Sequence, residues 1–296
     1  MNVRLAGLAT CVAAALLLLL PTCAAADALD RIQARGTLVV GVKQDVPPWG
    51  MPDAQRPGHV VGLEPDLAQD LARRLGVKLK LVALLTSERV EALQSGRVDV
   101  LIAFLADTPE RRRQMTLVMP HYFASGVSVL ARRESAFRRW DDLRQRRVCG
   151  RHGAFYNRAL TVRHGMDIVA LYSNAVALPA LRDGRCDALL YDDTAIAIML
   201  EAPRWAAEFE MPLPPLYVAP WSIALHPAEA GGRLQARVSQ SLVEWHRSGH
   251  LLALERRWGI PPTAYSARMH ELWSRRTQDG WYCGESVTAQ TPEECL

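Results

Sequence analysis

The sequence predicts an α/β protein of two lobes, in which two mainly parallel sheets flanked by helices are joined by two hinge strands. Strand-like and helix-like segments alternate from residue 37 to residue 133, which is typical of parallel sheets with crossover helices. The same alternation restarts at residue 146 and indicates a second α/β lobe. An apolar segment at residues 216–225 carries the chain back to the first lobe, and two crossings between lobes make a natural hinge.

The pattern of apolar residues predicts three strands and two helices in the first lobe. Leucines spaced four residues apart give the helix at residues 64–75 one apolar face, and Gly76 ends it. Residues 78–84 alternate between polar and apolar side chains, as expected of a half-buried strand. The remaining elements are strands at residues 37–42 and 98–104 and a helix at residues 88–95.

The second lobe repeats this order with strands at residues 146–153, 167–173 and 186–193, separated by helices at residues 157–164 and 175–183. After the return strand, residues 233–259 supply two amphipathic helices, which end before Pro261 and Pro262. We expect lobe 1 to comprise residues 27–130 and 225–296, and lobe 2 to comprise residues 131–224.

The N-terminal segment has the parts of a secretory signal peptide. Arg4 precedes an apolar run at residues 5–20, and Pro21 and a series of small residues follow it. The run is short for a bilayer and is followed by a helix breaker, which favours a signal peptide over a membrane span. We expect residues 1–26 to be removed by cleavage after Ala26 and the mature protein to reside in the periplasm.

Charge and motif content argue against several classes of function. The 296-residue chain has a formal net charge of +4, and so mild an excess does not favour a nucleic-acid partner. Its cysteines and histidines lack the close spacing of a zinc site. The sequence therefore predicts neither a metal nor a cofactor, and we expect a monomer.

Four cysteines follow the predicted signal peptide, and in an oxidising compartment they are expected to form disulfides. Three pairings are possible among Cys149, Cys186, Cys283 and Cys295, and the sequence does not choose among them. A bond between Cys283 and Cys295 would close a short polar loop, and the chain-entropy model assigns such a bond a stabilisation of roughly 3 kcal/mol.

An anion-binding site is predicted within residues 99–111, where an apolar run leads directly into a helix start. Thr108 is a suitable N-cap, Pro109 suits the first helical position, and Glu110 and Arg111 fall in the first turn. Unpaired backbone N–H groups and the Arg111 guanidinium would both favour a bound carboxylate. The alternative is that Arg111 is solvated and pairs with Glu110.

Six segments carry a series of motifs in a defined order. They are GTLVVGVKQDVPPWG at residues 36–50, GLEPDLAQDLARRLGVKLKLV at 62–82, SERVEALQSGRVDVLIA at 87–103, DTPER at 107–111, GRCDALLYDD at 184–193 and WGIPP at 258–262. Together they resemble family 3 of the bacterial extracellular solute-binding proteins, which serve polar amino-acid ABC importers, and especially the glutamate/aspartate-binding branch. The resemblance implies a type II periplasmic binding protein fold, whose two lobes close on a small ligand.

The resemblance also implies which residues contact that ligand. It places the family's carboxylate-binding arginine at Arg111 and two further cations of the acidic amino-acid branch at Lys43 and Arg89. The family's partner for a ligand ammonium group corresponds to Asp192, with Asp193 as the alternative. Strand ends of this kind face the cleft in α/β lobes.

Each of these three additional positions also has a purely structural interpretation. Lys43 follows a strand, and in this interpretation it is an ordinary solvated lysine. Arg89 has neighbouring glutamates with which it would pair on a helix surface. Asp192 is placed to cap the helix that follows it.

The aromatic and apolar residues near these positions predict an unusual pocket. Trp49 matches a position where relatives have an aromatic side chain near the ligand, or else covers the core of the lobe. Where relatives have small hydroxyl residues, this chain has Phe104, Leu105, Ala106, Ala154 and Phe155. Backbone N–H groups of Ala106 and Phe155 remain available to bind a carboxylate. The pocket is therefore expected to be drier, and to favour a ligand with an apolar part or a carboxylate other than glutamate.

These observations predict a solute-binding protein that captures a small carboxylate-bearing solute, preferentially a polar or acidic amino acid, and delivers it to a membrane ABC permease. No catalytic residue is assigned. One alternative is an enzyme, because periplasmic cyclohexadienyl dehydratases also resemble this family; His121, His152 and Glu88 are then the candidates for acid–base chemistry. A second alternative is a sensor or accessory module that binds a carboxylate other than an amino acid.

Overall fold

A computed structural model describes residues 27–261, 263–286 and 295. The predicted signal peptide and its cleavage site lie outside the described residues. Within the part of the chain that the structure describes, each helix is too short or too polar to span a bilayer.

Strands and helices alternate along most of the chain. The strands are, in order, β1 (Thr37–Lys43), β2 (Met51–Pro52), β3 (Val60–Val61), β4 (Lys78–Leu84), β5 (Val100–Leu101), β6 (Thr116–Arg132), β7 (Arg147–Arg151), β8 (Asp167–Leu171), β9 (Ala188–Asp192), β10 (Phe209–Glu210) and β11 (Leu216–Leu225). The helices are, in order, α1 (Ala28–Arg35), α2 (Leu63–Leu75), α3 (Arg89–Gln94), α4 (Pro109–Arg112), α5 (Asn157–His164), α6 (Asn174–Arg182), α7 (Asp193–Leu200), α8 (Pro203–Ala206), α9 (Arg233–Arg247), α10 (His250–Arg257) and α11 (Ala264–Ser274).

One nine-stranded sheet contains two parallel portions. Its order is β4-β1-β5-β11-β6-β9-β7-β8, and β10 pairs with β6. In the first portion β1 pairs in parallel with β4 and β5, and in the second portion β7 pairs in parallel with β8 and β9. These two portions match the two α/β units expected from the alternating pattern.

The long strands β6 and β11 connect the two portions. β6 pairs with β11 from Thr116 to Val127, and it then pairs with β9 from Val127 to Ala131. Because both long strands run antiparallel between the portions, they join them into one continuous sheet. The exact division into lobes at residues 130/131 and 224/225 stays a prediction.

Helix α2 shows how the apolar pattern fixes the first portion. Its leucines at positions 63, 67, 71 and 75 are all buried, and Gly76 ends the helix in the left-handed conformation. Burying each leucine contributes about 1.5–3 kcal/mol. The packed helix also brings its first turn, which contains Glu64, to the edge of the sheet where β1 ends.

Two disulfides are present. Cys149 on β7 is bonded to Cys186, which lies just before β9, and both residues are buried. Cys283 is bonded to Cys295 across a separation of 12 residues. The first bond holds together the two neighbouring strands of the second portion that end at the candidate site.

Candidate functional site

Seven ionisable side chains from both sheet portions meet where β1, β7 and β9 end. We refer to them as the cleft cluster: Lys43, Asp45, Glu64, Arg89, Arg111, Arg151 and Asp192. Six are buried, and the Asp45 side chain is only 11% exposed. Carboxyl ends of parallel strands line the ligand-binding crevices of α/β proteins, so this is the position at which a binding site is expected.

Lys43 is the last residue of β1 and is fully buried. Its ammonium group lies 2.7 Å from an Asp45 carboxylate oxygen and donates to the Thr86 hydroxyl at 3.1 Å. Burial lowers the pKa of Lys43 to about 8, and the neighbouring Asp45 opposes that shift. The interpretation of Lys43 as a solvated surface lysine is therefore wrong.

Arg89 begins α3 and points its guanidinium group into the cluster. Nε donates to the Thr86 carbonyl at 3.0 Å, and Nη1 donates to the carbonyls of Ala103 and Phe104 at 2.8 and 2.6 Å. Burial and the nearby Arg111 lower the pKa of Arg89. Among the described residues, no carboxylate lies within ion-pair distance of Arg89, so the expected surface pairing with a helix glutamate does not form.

Arg111 is likewise buried without a carboxylate partner among the described residues. Thr108 caps α4 as predicted, since its hydroxyl accepts the Arg111 N–H at 3.3 Å. The guanidinium donates to the Ala106 carbonyl at 2.7 Å and lies 5.5 Å from the centre of the Phe155 ring. Because α4 has only four residues, its dipole is small, and the guanidinium is the main attraction for an anion.

Asp192 ends β9 and is paired with an arginine that the sequence interpretation did not include. Nη2 of Arg151 donates to its carboxylate at 2.6 Å. Burial raises the pKa of Asp192 to about 6, although Arg151 opposes the shift. Arg151 ends β7, so the same strand-end rule that selected Asp192 would have found it.

Asp193, the alternative to Asp192, has a structural role. Its carboxylate accepts the N–H groups of Gly126 and Thr194 at 2.9 and 2.8 Å and also accepts the Ser125 hydroxyl. These bonds tie the start of α7 to the long strand β6.

Glu64 is the second residue that the sequence interpretation missed. Its Oε1 accepts the Phe104 N–H and the Tyr122 hydroxyl, both at 2.6 Å, while Oε2 is buried without a hydrogen-bond partner in the described part of the chain. Burial raises the pKa of Glu64 to about 8, so the carboxyl is largely protonated at neutral pH. The sequence pattern predicts only that a helix begins at this position.

Strand β5 explains why Phe104 reaches this cluster. The sequence predicted a strand over residues 98–104, but β5 contains only Val100 and Leu101. The chain then turns at Phe104, whose φ of 56° is uncommon for a non-glycine residue. The turn directs backbone groups at and before Phe104 toward Glu64 and Arg89 instead of toward a neighbouring strand.

An aromatic layer lies beneath the charged groups. Trp49 packs against Phe104, Phe123 and Trp221 with ring centres 5.3, 5.6 and 5.6 Å apart. Trp49 is fully buried, and its indole N–H donates to no residue that the structure describes. Trp49 therefore belongs to the core while its polar atom remains unsatisfied near the cluster.

Several buried polar atoms around the cluster have no hydrogen-bond partner among the described residues. They are Arg151 Nε, Glu64 Oε2, Trp49 Nε1 and Asn174 Oδ1. The backbone N–H groups of Ala106 and Phe155 also donate to no residue that the structure describes. Because each unsatisfied buried group costs about 1–3 kcal/mol, their concentration in one place indicates a site for a polar ligand.

The two sheet portions touch each other across this site. The Asn174 amide donates to the Asp45 carbonyl at 2.6 Å and to the Tyr191 hydroxyl at 2.8 Å. The Arg151 guanidinium lies 5.1 Å from the centre of the Phe104 ring. A cavity of about 350 Å³ adjoins these contacts, and it is lined by Asp45, Asn174, Tyr191 and apolar side chains of α6, α7 and α8.

The three candidates for acid–base catalysis do not join the cluster. His121 lies 2.7 Å from the Asp107 carboxylate. His152 is exposed and packs against Tyr172, and Glu88 accepts the N–H of a neighbouring residue at 2.7 Å. Within the described ranges, no group of three or more histidine, cysteine, aspartate or glutamate side chains is arranged to hold a metal.

The chain matches a known protein family over most of its length. Residues 38–261 match the profile of the bacterial extracellular solute-binding proteins, family 3. The chain belongs to this family. The resemblance noted in the motifs is thereby confirmed at the level of the family.

Two curated relatives illustrate the range of solutes. The L-cystine-binding protein TcyJ of Escherichia coli K12 is 31% identical over 170 residues, which cover 56% of this chain and 63% of that protein. The glutamine-binding protein of Geobacillus stearothermophilus is 27% identical over 180 residues, covering 59% of this chain and 68% of that protein. This family 3 chain thus spans less than two thirds of the cystine-binding relative that it matches.

Solved structures confirm the predicted type II fold. A mutant of the Thermotoga maritima protein ArgBP matches with a TM-score of 0.72 and 27% identity. The match covers 79% of this chain and 100% of the ArgBP chain. The ancestral amino acid-binding protein AncCDT-1, described as a precursor of cyclohexadienyl dehydratase, has a TM-score of 0.69 and 26% identity and covers 78% of this chain and 99% of its own. These names do not point to glutamate or aspartate, so that branch stays a prediction.

Proposed function

We propose that the protein captures a small carboxylate-bearing solute in the periplasm and presents it to a membrane ABC permease. The observation that carries the proposal is the pair of buried guanidinium groups of Arg89 and Arg111, which have no carboxylate partner among the described residues. A ligand carboxylate would accept charge-assisted hydrogen bonds from them. It would also satisfy the N–H groups of Ala106 and Phe155.

Capture would proceed by closure of the two sheet portions around the solute. Arg89 and Arg111 belong to the first portion, whereas Phe155, Arg151 and Asp192 belong to the second. Closure expels water, and charge interactions strengthen as the local dielectric constant falls. The affinity then depends on how strongly the solute stabilises the closed state relative to the open one.

The solute class and the partner rest on the relatives. A Bacillus subtilis relative, 23% identical over 237 residues, is named an ABC transporter glutamine-binding protein, which supports an amino-acid ligand and a permease partner. The predicted signal peptide supports a periplasmic location. The sequence favours a polar or acidic amino acid, because Lys43 and Arg89 match the additional cations of that branch.

A binding role is favoured over catalysis because the curated relatives are named binding proteins and the three acid–base candidates that the sequence suggested lie outside the cluster. His121 is held by Asp107, and His152 lies at the surface. Incubation with prephenate or arogenate is expected to yield no aromatic product. Turnover of either compound would assign the protein to the enzymatic alternative.

A thermal-shift screen tests the proposal directly. The mature protein is unfolded, dialysed to remove any bound solute, refolded and screened against amino acids, dicarboxylates and aromatic carboxylates. A solute that binds only the folded state raises the melting temperature, by an amount that grows with its concentration. We expect a clear shift with at least one carboxylate; no shift with any carboxylate at millimolar concentration would contradict the proposal.

A further inference from the structure

The charges of the cleft cluster do not balance within the protein. Four cations, Lys43, Arg89, Arg111 and Arg151, face three carboxyl groups. Two ion pairs form, Lys43 with Asp45 at 2.7 Å and Arg151 with Asp192 at 2.6 Å. Arg89 and Arg111 remain, and their hydrogen bonds go to backbone carbonyls.

The third carboxyl group, that of Glu64, does little to offset these two cations. It accepts hydrogen bonds from Phe104 and Tyr122, and its burial favours the protonated, neutral form near pH 7. The protein groups of the cluster therefore carry an excess of about two positive charges. A dianion neutralises that excess, whereas an acidic amino acid, with one net negative charge, leaves part of it.

Asp192 is not free to receive an ammonium group. The Arg151 guanidinium that pairs with it is held 4.8 Å from the centre of the Tyr191 ring and 5.1 Å from that of the Phe104 ring. It also lies 3.5 Å from the Tyr156 hydroxyl. A ligand ammonium would have to displace this packed cation or share one carboxylate with it, and like charges in a buried site repel strongly.

We propose, on the basis of the proposed function, that this site selects small dicarboxylates that lack an ammonium group, with Arg151 as the residue that excludes amino acids. One carboxylate binds at Arg111 and the other at Arg89, which contacts Thr86 as Lys43 does. Arg151 keeps Asp192 neutralised and leaves its own Nε, which is buried without a partner, available as a further donor to the ligand. Within the proposed class of carboxylate-bearing solutes, this inference replaces the amino acids that the sequence and the relatives favour with dianions that lack an ammonium group.

Two matched ligand pairs isolate the ammonium group. Glutarate and L-glutamate differ only in that group, as do succinate and L-aspartate. The dissociation constants of both pairs are measured by calorimetric titration of the refolded wild-type protein. In the pair whose length fits the site, the dicarboxylate is expected to bind at least tenfold more tightly than the amino acid. Equal or tighter binding of the amino acid would overturn the inference while the proposed function stands.

Substitution of Arg151 tests its assigned role. In Arg151→Gln, Asp192 becomes available to an ammonium, so the ratio of the two affinities is expected to shift by at least tenfold toward the amino acid. Arg151→Lys retains the positive charge and is expected to retain the wild-type preference. Arg147→Gln, an exposed residue on the same strand, is the matched control and is expected to leave the ratio unchanged.

The outcomes separate the two proposals. Loss of affinity for both members of a pair by the same factor in Arg151→Gln would make Arg151 merely structural and overturn the inference. If Arg151→Gln does not fold, the wild-type ratio and Arg151→Lys still decide the point. If only a monocarboxylate binds, the inference fails and the proposed function survives; if no carboxylate binds, both fail.

Discussion

Arg89 and Arg111 are unusual among the individual residues because their charges are buried without a carboxylate partner among the described residues. Backbone carbonyls accept some of their N–H groups, but a carbonyl neutralises only part of a full charge. Loss of solvation lowers the pKa of Arg111 to about 10, so it remains protonated at neutral pH. Such an arrangement is stable mainly when an anion completes it.

Glu64 gives a pH-dependent prediction at the same scale. Burial raises its pKa from an ordinary value of 4.5 to about 8, so the folded state holds the proton more tightly than the unfolded state. The stabilisation of the folded state by protonated Glu64 is therefore fully present below about pH 4.5 and is lost as the pH rises through 8. The free energy of unfolding is measured by urea titration for the wild type and for Glu64→Gln between pH 4.5 and pH 8. Over that range the wild type is expected to lose more than about 1.4 kcal/mol relative to the variant, and 1.4 kcal/mol corresponds to a tenfold difference in proton affinity.

A surface glutamate provides the control. Glu88→Gln alters a half-exposed side chain outside the cluster and is expected to leave the pH dependence of the wild type unchanged. A wild-type curve parallel to that of Glu64→Gln between pH 5 and pH 8 would show that Glu64 is ionised in the folded protein.

The sequence indicated some members of the cluster and not others for a physical reason. The resemblance pointed to Lys43 and Asp192, and their position supports it, because both end strands and the carboxyl ends of parallel strands face a crevice. Arg111 follows from the helix start at Thr108 as well as from the motif resemblance, whereas Arg89 follows from the resemblance alone. Glu64 carries no comparable signal, because an acidic residue in a first helical turn is ordinary and its burial depends on distant residues such as Tyr122.

At the scale of elements, periodicity and breakers predicted most boundaries well. The strand at Lys78–Leu84 and the helix at Asn157–His164 have the expected ends, the latter because Gly165 takes the left-handed conformation. β5 was predicted too long. Its apolar residues gave no sign that Phe104 would leave the strand, since that turn is fixed by tertiary hydrogen bonds to Arg89 and Glu64.

The disulfide between Cys149 and Cys186 gives the element-scale prediction. It closes a loop of 37 residues that contains β8 and the helices beside it. The chain-entropy model assigns such a bond about 4 kcal/mol. Cys149→Ala combined with Cys186→Ala is therefore expected to lower the free energy of unfolding by roughly that amount in denaturant titration.

The second disulfide supplies the comparison. The bond between Cys283 and Cys295 spans 12 residues, and its removal is expected to cost about 3 kcal/mol or less. The first bond is expected to be the main covalent support of the second sheet portion. A smaller loss of unfolding free energy on removal of the Cys149–Cys186 bond than on removal of the Cys283–Cys295 bond would contradict that expectation.

At the scale of the whole molecule, the proposed capture of a ligand would depend on contacts between the two sheet portions. The Asn174 amide bridges them through the Asp45 carbonyl, and the Phe155 ring lies against Arg111. β6 and β11 are the long strands about which the portions would hinge. The enclosed state is thus held by a small number of contacts that a ligand is able to reinforce.

Asn174→Ala tests this closure. Loss of the bridging hydrogen bond is expected to weaken the closed state by about 0.5–1.5 kcal/mol, which raises the apparent dissociation constant about two- to tenfold. In small-angle X-ray scattering, the ligand-free variant is expected to have a larger radius of gyration than the wild type, and saturating ligand should restore the compact value. An unchanged affinity and radius would show that this contact does not govern closure.

The most direct test of carboxylate binding at the cleft cluster is a calorimetric titration of Arg111→Met beside Arg112→Met, using the carboxylate that gives the largest thermal shift. Arg112 is the adjacent residue, but its side chain is 54% exposed and pairs with Asp107. Arg111→Met is expected to bind at least about 100-fold more weakly than the wild type, because two charge-assisted hydrogen bonds of about 1.5–3 kcal/mol each are lost. Arg112→Met is expected to bind like the wild type. Equal affinity of Arg111→Met and the wild type would contradict the central claim that a carboxylate is held at Arg111.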